Sequence, residues 1–184
     1  MMLQGTLEKE KIGKIVELLK QSKSILFITG AGISADSGLP TYRGEGGLYN
    51  TTATDEGIPI ETILAGEMIK TRPELVWKYL GQIEKRTRTA KFNRAHEVIA
   101  EMEKHFPHVL VFTQNIDGFH AQAGSKNVID IHGDMHKVYC PKCFWSKKLD
   151  NYEQLSSSPT CPDCGAVIRP DVVFFGENLP EDKI

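Results

Sequence analysis

Along residues 7–21 the apolar positions Ile12, Ile15, Val16 and Leu19 fall three or four apart, a spacing that predicts an amphipathic helix packed against the next element of the chain. At Ser24 the pattern changes. The run SILFIT, Ser24–Thr29, is short, almost wholly apolar and closed by Gly30, as expected of a buried parallel strand. VLVFT at Val109–Thr113 and VIDI at Val128–Ile131 repeat the pattern, the former after a helix predicted over residues 92–105. Helices alternating with buried strands predict an α/β domain built on a parallel sheet. About eighty residues separate the first two strands, more than one crossover helix needs. Within them Pro59–Ile69 and Glu74–Lys85 read as helices, with Pro73 suited to the first turn of the second. They are expected to form a helical module or lid, with Trp77, Leu80 and Ile83 as its core.

The chain has 184 residues, 40% hydrophobic and 25% charged, enough for one well-buried core and a small appendage. No window approaches the roughly 20 apolar residues that span a bilayer, and the N-terminus is charged and amphipathic rather than a secretory signal. The expectation is a soluble, cytoplasmic protein without a membrane partner. A net charge of -2 gives no reason to expect direct nucleic-acid binding, and the cluster Lys85–Arg88 reads as a solvated helix end.

Chemistry first shows in the cysteines. Cys140 and Cys143, then Cys161 and Cys164, form two Cys-x-x-Cys pairs separated by 17 residues. Each two-residue gap lets both sulfurs of a knuckle reach one tetrahedral ion, so a single structural zinc with four thiolate ligands and no open position is expected. Disulfides are the alternative, with little support in a chain lacking a secretion signal. The segment Tyr139–Ile168 is too short to bury a core of its own, so the metal is expected to supply much of its folding free energy.

Three polar clusters come at the ends of the three strands. Gly30-Ala31-Gly32 lets the backbone turn sharply and approach a pyrophosphate, with Ser34 offering a hydroxyl. Ser37-Gly38-Leu39-Pro40 then stops any helix within two turns, and the glycine-punctuated stretch from Gly38 to Gly47 suits a loop closing over a ligand. In it, Arg43 suits a phosphate or carboxylate, or is an ordinary solvated loop arginine. Gln114, Asn115, Ile116 and Asp117 come after the second strand. Asn115 and Asp117 suit an amide or ribose hydroxyls, or a turn that caps the next helix. His132 comes after the third strand, where it serves either as a general base or as a capping or structural histidine. The other five, His96, His105, His108, His120 and His136, are expected to be structural or exposed.

Taken together, GAGISADSGLPTYRG, TQNIDGFHAQAG, IHG, the paired cysteine knuckles and VVFFGENLP resemble the sirtuins, NAD-dependent protein-lysine deacylases, over about Leu18 to Pro180. The resemblance implies an α/β fold: a Rossmann-like NAD-binding parallel sheet with a small zinc-binding and helical domain. On this basis residues 1–50 and 91–136 belong to the NAD domain, 51–90 to the helical module and 137–169 to the zinc module. Residues 170–184 carry the substrate-binding strand and return to the NAD domain. The resemblance implies NAD contacts from Gly30, Ala31, Gly32, Ser34, Tyr42, Arg43, Gln114, Asn115, Ile116 and Asp117. His132, with Asn115 and Asp117, is implied as catalytic: the acyl oxygen attacks C1′ of the nicotinamide ribose, nicotinamide leaves, and His132 deprotonates a ribose hydroxyl. Val173, Phe174 and Phe175 are implied as an acyl-lysine tunnel, and the backbone near Gly176 and Glu177 as the edge that pairs with a protein or peptide substrate.

This chain departs from the family pattern at three places. Thr41-Tyr42-Arg43 stands where many members have Asp-Phe-Arg, adding a hydroxyl to an apolar face. Leu80 and Ile83 stand where members favouring succinyl or malonyl groups carry a Tyr-x-x-Arg pair, so acetyl or longer apolar acyl groups are expected. Third, the later family strands that contact the adenosine half of NAD have no counterpart before Ile184. A fragment of a longer protein is expected, with an exposed sheet edge and apolar face and a tendency to self-associate. An NAD-dependent ADP-ribosyltransferase and a non-catalytic zinc-containing binding fragment are the alternatives to a deacylase.

Overall fold

The computed structural model describes residues 2–41 and 54–184, with side chains from Lys9 onward. In chain order the elements are α1 (Met2–Gln21), β1 (Ser24–Thr29) and a 3-10 helix (Ala31–Ser37), then α2 (Ile60–Ile63), α3 (Met68–Thr71), α4 (Pro73–Thr89) and α5 (Arg94–Met102). They continue with β2 (His108–Thr113), α6 (Phe119–Gln122), β3 (Val128–Asp130), β4 (Gly133–Tyr139), β5 (Ser146–Lys148) and β6 (Arg169–Val172), before a closing 3-10 turn (Glu181–Lys183).

The strands β1, β2 and β3 form a parallel sheet in that order. Its register sets Thr29 beside Thr113 and Thr113 beside Asp130. All three strands therefore finish level, and the turns after them leave from one edge of the sheet. The remaining strands make a separate antiparallel sheet in the order β5-β4-β6. An apolar cluster joins that second sheet to the helical module: Val76, Trp77 and Leu80 of α4 lie with Met135, Val138, Ile168 and Phe174. Trp77 is fixed within it by donating Nε1–H to the Ile168 carbonyl (3.2 Å) and by an edge-on contact with Tyr152 (5.3 Å between ring centroids).

Several expectations are corrected. The predicted helix over 59–69 is split into α2 and α3, because Phe175 N donates to Leu64 O and Gly66 N to Phe175 O, both at 3.0 Å. This pairing with a distant segment takes the backbone groups that would have continued the helix. The strand β1 is not buried: Leu26 is 56% and Ile28 69% exposed, since β1 pairs along one edge only and no described element covers that face. Likewise Ile12, Ile15 and Val16 of α1 are more than two-fifths exposed, so the helix does not bury the stripe its periodicity draws. An exposed edge and apolar face were expected, and both are present among the described residues.

One glycine lets β4 and β6 of the antiparallel sheet come together. Gly133 has φ +88°, and a Cβ there would sit 1.8 Å from the Asp171 carbonyl oxygen of β6. Gly133→Ala is expected to lower unfolding stability by at least ~2 kcal/mol, through a strained φ and a backbone clash. Gly81→Ala in mid-α4, with no atom within 4 Å of the added methyl, is expected to raise stability by about 0.5–1 kcal/mol. Urea denaturation of both variants checks the pair.

Candidate active site and metal centre

The turn after β1 opens a 3-10 helix rather than an α-helix, with Ile33 N donating to Gly30 O (3.1 Å). The helix ends after two turns at Gly38, in line with the brief stub read from Ser37-Gly38-Leu39-Pro40. A Cβ built on Gly30 or Gly32 would find no atom of the described residues within 4 Å, so the glycine turn is open toward them. Buried beneath it, Ser34 donates Oγ–H to Asp117 Oδ2 (2.7 Å). Asn115 Nδ2 donates to Ser34 Oγ (3.2 Å) and to Gly30 O (3.1 Å). Asp117 Oδ1 accepts from Phe119 N (2.9 Å) at the start of α6. One carboxylate thus bonds the first amide of the helix and holds the glycine turn, which is the turn-forming reading of Asp117. Gln114 is exposed, while Ile116 is half-buried and its carbonyl accepts from Met135 N (3.3 Å). Ala31 lies in the same turn, half-buried. Tyr42 and Arg43 fall outside the described residues.

The His132 ring lies 2.9 Å, through Nδ1, from the Gln114 carbonyl. A carbonyl only accepts, so Nδ1 carries the hydrogen and the lone pair of the neutral ring sits on Nε2. The His132 main chain is held as well, its carbonyl accepting from Val173 N (2.9 Å). His132 therefore joins the Gln114–Asp117 loop to the segment Val173–Glu177.

That segment is clamped from inside. Arg169 Nη1 and Nη2 meet the two Glu177 carboxylate oxygens at 2.6 and 2.7 Å, Phe174 N donates to Glu177 Oε2 (2.9 Å), and the Arg169 guanidinium lies over the Phe174 ring. Burial works to raise the Glu177 pKa, but the Arg169 pair and the Phe174 amide outweigh it and hold the carboxyl below its ordinary range. Phe174 is turned into the core, whereas Val173 is half-buried and Phe175 and Gly176 are exposed.

All four cysteine sulfurs lie within 4.8 Å of one another, with Cys140–Cys164 and Cys143–Cys161 at 3.5 Å. A disulfide needs about 2.05 Å, and all four cysteines are free. A tetrahedral zinc with bonds of about 2.3 Å sets its sulfurs near 3.8 Å apart, which this cluster fits. Both knuckles fold alike: Cys140 O accepts from Phe144 N (3.0 Å) and Cys161 O from Gly165 N (2.9 Å). The donors occupy the left-handed region, Phe144 at φ 62° and Gly165 at φ 72°.

Two histidines read as structural or exposed stand behind the glycine turn. His96 and His120 are 0% and 2% exposed, their rings 4.9 Å apart, with His120 Nε2 2.9 Å from Thr29 Oγ1. The available signal was Asn93, a helix-capping residue three positions before His96. Its side chain accepts from Ala95 N and donates to Ile33 O (2.7 Å) and Ser37 Oγ (3.0 Å).

Residues 30–184 match the Sir2 family, and the chain belongs to it. It is 49% identical over 176 residues to NAD-dependent protein deacylase 2 of Pseudomonas aeruginosa, covering 94% of this chain and 68% of that protein. A solved Sir2 homologue in complex with NAD superposes with a TM-score of 0.81 at 36% identity, covering 93% of this chain and 64% of that one. A Sir2 variant with a deacetylated peptide and 3′-O-acetyl ADP ribose superposes with a TM-score of 0.82 at 34% identity, covering 94% and 68%. The chain spans about two thirds of the length of such relatives. Its fold is the family's: a Rossmann-like parallel sheet with helices, and a separate cysteine cluster fit for zinc.

Two outcomes are expected. Burial, reinforced by His96, pushes the His120 pKa down to about 4 against a weaker opposing pull from Asp117, and burial lowers that of His96 as well. Below pH 6.5 the unfolded chain gains protons that the folded chain refuses, so stability is fully present above about 6.5 and falls as pH drops toward 4. Urea midpoints between pH 7.5 and 4.5 are expected to fall less for His120→Gln than for the unaltered chain. Cys161→Ser, or a strong chelator, is expected to release one zinc per chain and melt the segment between β4 and β6, seen as lost near-ultraviolet dichroism from Trp145 and Tyr152.

Proposed function

We propose that the protein is an NAD-dependent protein-lysine deacylase, which cleaves nicotinamide from NAD and transfers the acyl group of an acyl-lysine protein or peptide to ADP-ribose. The observation that carries this reading is the His132 Nε2 lone pair, held by the Gln114 carbonyl at the same sheet edge as Ser34, Asn115 and Asp117. The family's curated relatives bear the corresponding name.

In this reading NAD is a substrate. Gly30, Ala31 and Gly32 take its pyrophosphate into the open space of the turn. Ser34, Gln114, Asn115, Ile116 and Asp117, with Tyr42 and Arg43, surround the ribose and nicotinamide. The acyl carbonyl oxygen bonds to C1′ as the C1′–N bond breaks and nicotinamide departs with the electron pair. His132 Nε2 then takes the proton of a ribose hydroxyl, which frees that oxygen to attack the acyl carbon. Val173, Phe174 and Phe175 border the acyl-lysine. Because the Glu177 carboxylate is committed to Arg169, the backbone at Gly176 and Glu177 is what remains for pairing with the substrate chain. Cys140, Cys143, Cys161 and Cys164 would hold a zinc, which would stabilise the second sheet and supply no chemistry to the reaction. Leu80 is 2% exposed in the core and offers no cation, which favours acetyl or longer apolar acyl groups. Among the described residues no helix is long and apolar enough to cross a membrane, and we place the protein in the cytoplasm.

Incubation with NAD and an acetyl-lysine peptide is expected to yield nicotinamide, deacetylated peptide and O-acetyl-ADP-ribose by mass spectrometry. His132→Ala is expected to reduce all three by ~10²–10⁴-fold. Label passing from NAD to protein without an acylated substrate would favour the transferase instead. Succinyl turnover exceeding acetyl turnover would overturn the acyl preference.

A further inference from the structure

His96 and His120 are enclosed, yet each has one ring nitrogen, His96 Nε2 and His120 Nδ1, without a hydrogen-bond partner among the described residues. A buried polar nitrogen left unpaired costs roughly 1–3 kcal/mol, so the pair calls for an explanation. Proton accounting supplies one. Asn93 N donates to His96 Nδ1 (3.2 Å), so the hydrogen of neutral His96 is on Nε2. If His120 carried its hydrogen on Nδ1, two neighbouring buried rings would each hold a donor without an acceptor. With the hydrogen on Nε2 instead, His120 Nδ1 is an acceptor on a ring whose centroid lies 4.9 Å from that of His96, the donor. His120 Nε2–H then donates to Thr29 Oγ1.

The residues so linked surround the glycine turn. Thr29 immediately precedes Gly30, and Ile33 and Ser37, both bonded to the Asn93 amide, come after Gly32. We infer that Asn93, His96, His120 and Thr29 form one directed hydrogen-bond chain that fixes both ends of the Gly30–Gly32 turn, with His96 and His120 as positioning residues for the dinucleotide. Burial keeps both rings neutral at neutral pH, as this chain requires. The direction of the chain stands on the geometry alone, while its role in dinucleotide binding rests on the function proposed above.

The test has two arms on the zinc-loaded protein. Long-range ¹⁵N–¹H spectra at pH 7.5 are expected to show His96 and His120 both as the Nε2–H tautomer, and an Nδ1–H tautomer at either sinks the directed chain. Calorimetry with ADP-ribose is expected to show about tenfold weaker binding for Thr29→Val and for His120→Leu, and no further loss in the double variant. His120→Gln, which restores a donor toward Thr29, is expected to stay within about threefold of the unaltered protein. Unaltered affinity in a folded His120→Leu variant, or additive losses in the double variant, overturns the positioning role. Absence of ADP-ribose binding by the unaltered protein, with both tautomers as expected, would instead mark the failure of the nucleotide reading.

Discussion

The structure around the glycine turn depends on one buried carboxylate. Asp117, 6% exposed, accepts the Ser34 hydroxyl on one oxygen and the Phe119 amide on the other. Parallel register alone only brings the ends of β1, β2 and β3 level. The Asp117 bonds make the loops after β1 and β2 one rigid unit, and Asn115 adds a second tie through Ser34 and Gly30. A charge so enclosed is stable only while its donors stay in place, so the carboxylate selects one arrangement of both loops.

His132 extends that unit toward the second sheet. Its ring leans on Gln114, and its carbonyl receives Val173 N. Gly133 then lets β4 and β6 come together at the next residue. From there the Arg169–Glu177 pair shapes the segment after β6, and that segment in turn interrupts the helical module at Ala65 and Gly66. The cysteine cluster lies at the far end of the same antiparallel sheet, joined to α4 through Trp77 and Ile168. A metal held by the four cysteines would thus reach the segment Val173–Glu177 through packing rather than through chemistry.

Much of this was legible where the signal is local. A six-residue run with four apolar residues at its centre, closed by glycine, gave β1 its correct limits, and two Cys-x-x-Cys pairs gave a cluster whose sulfurs converge. Residues whose role depends on distant partners were harder to read. The break between α2 and α3 is made by Phe175, which helical periodicity at 59–69 does not register. The exposure of Leu26 and Ile28 reflects what covers a strand, not how apolar it is. His96 and His120 carry no motif that separates a packed histidine from one that supports a turn, and only their contacts with Asn93 and Thr29 do so.

Backbone hydrogen exchange with and without ADP-ribose, on the zinc-loaded chain, tests the central claim most directly, because it reads the three strand-end loops separately. If they form one dinucleotide site ordered by Asp117, amides in residues 30–38, 114–119 and 131–133 slow together on addition of the ligand. Slowing confined to other parts of the chain, or in only one of these loops, would contradict it.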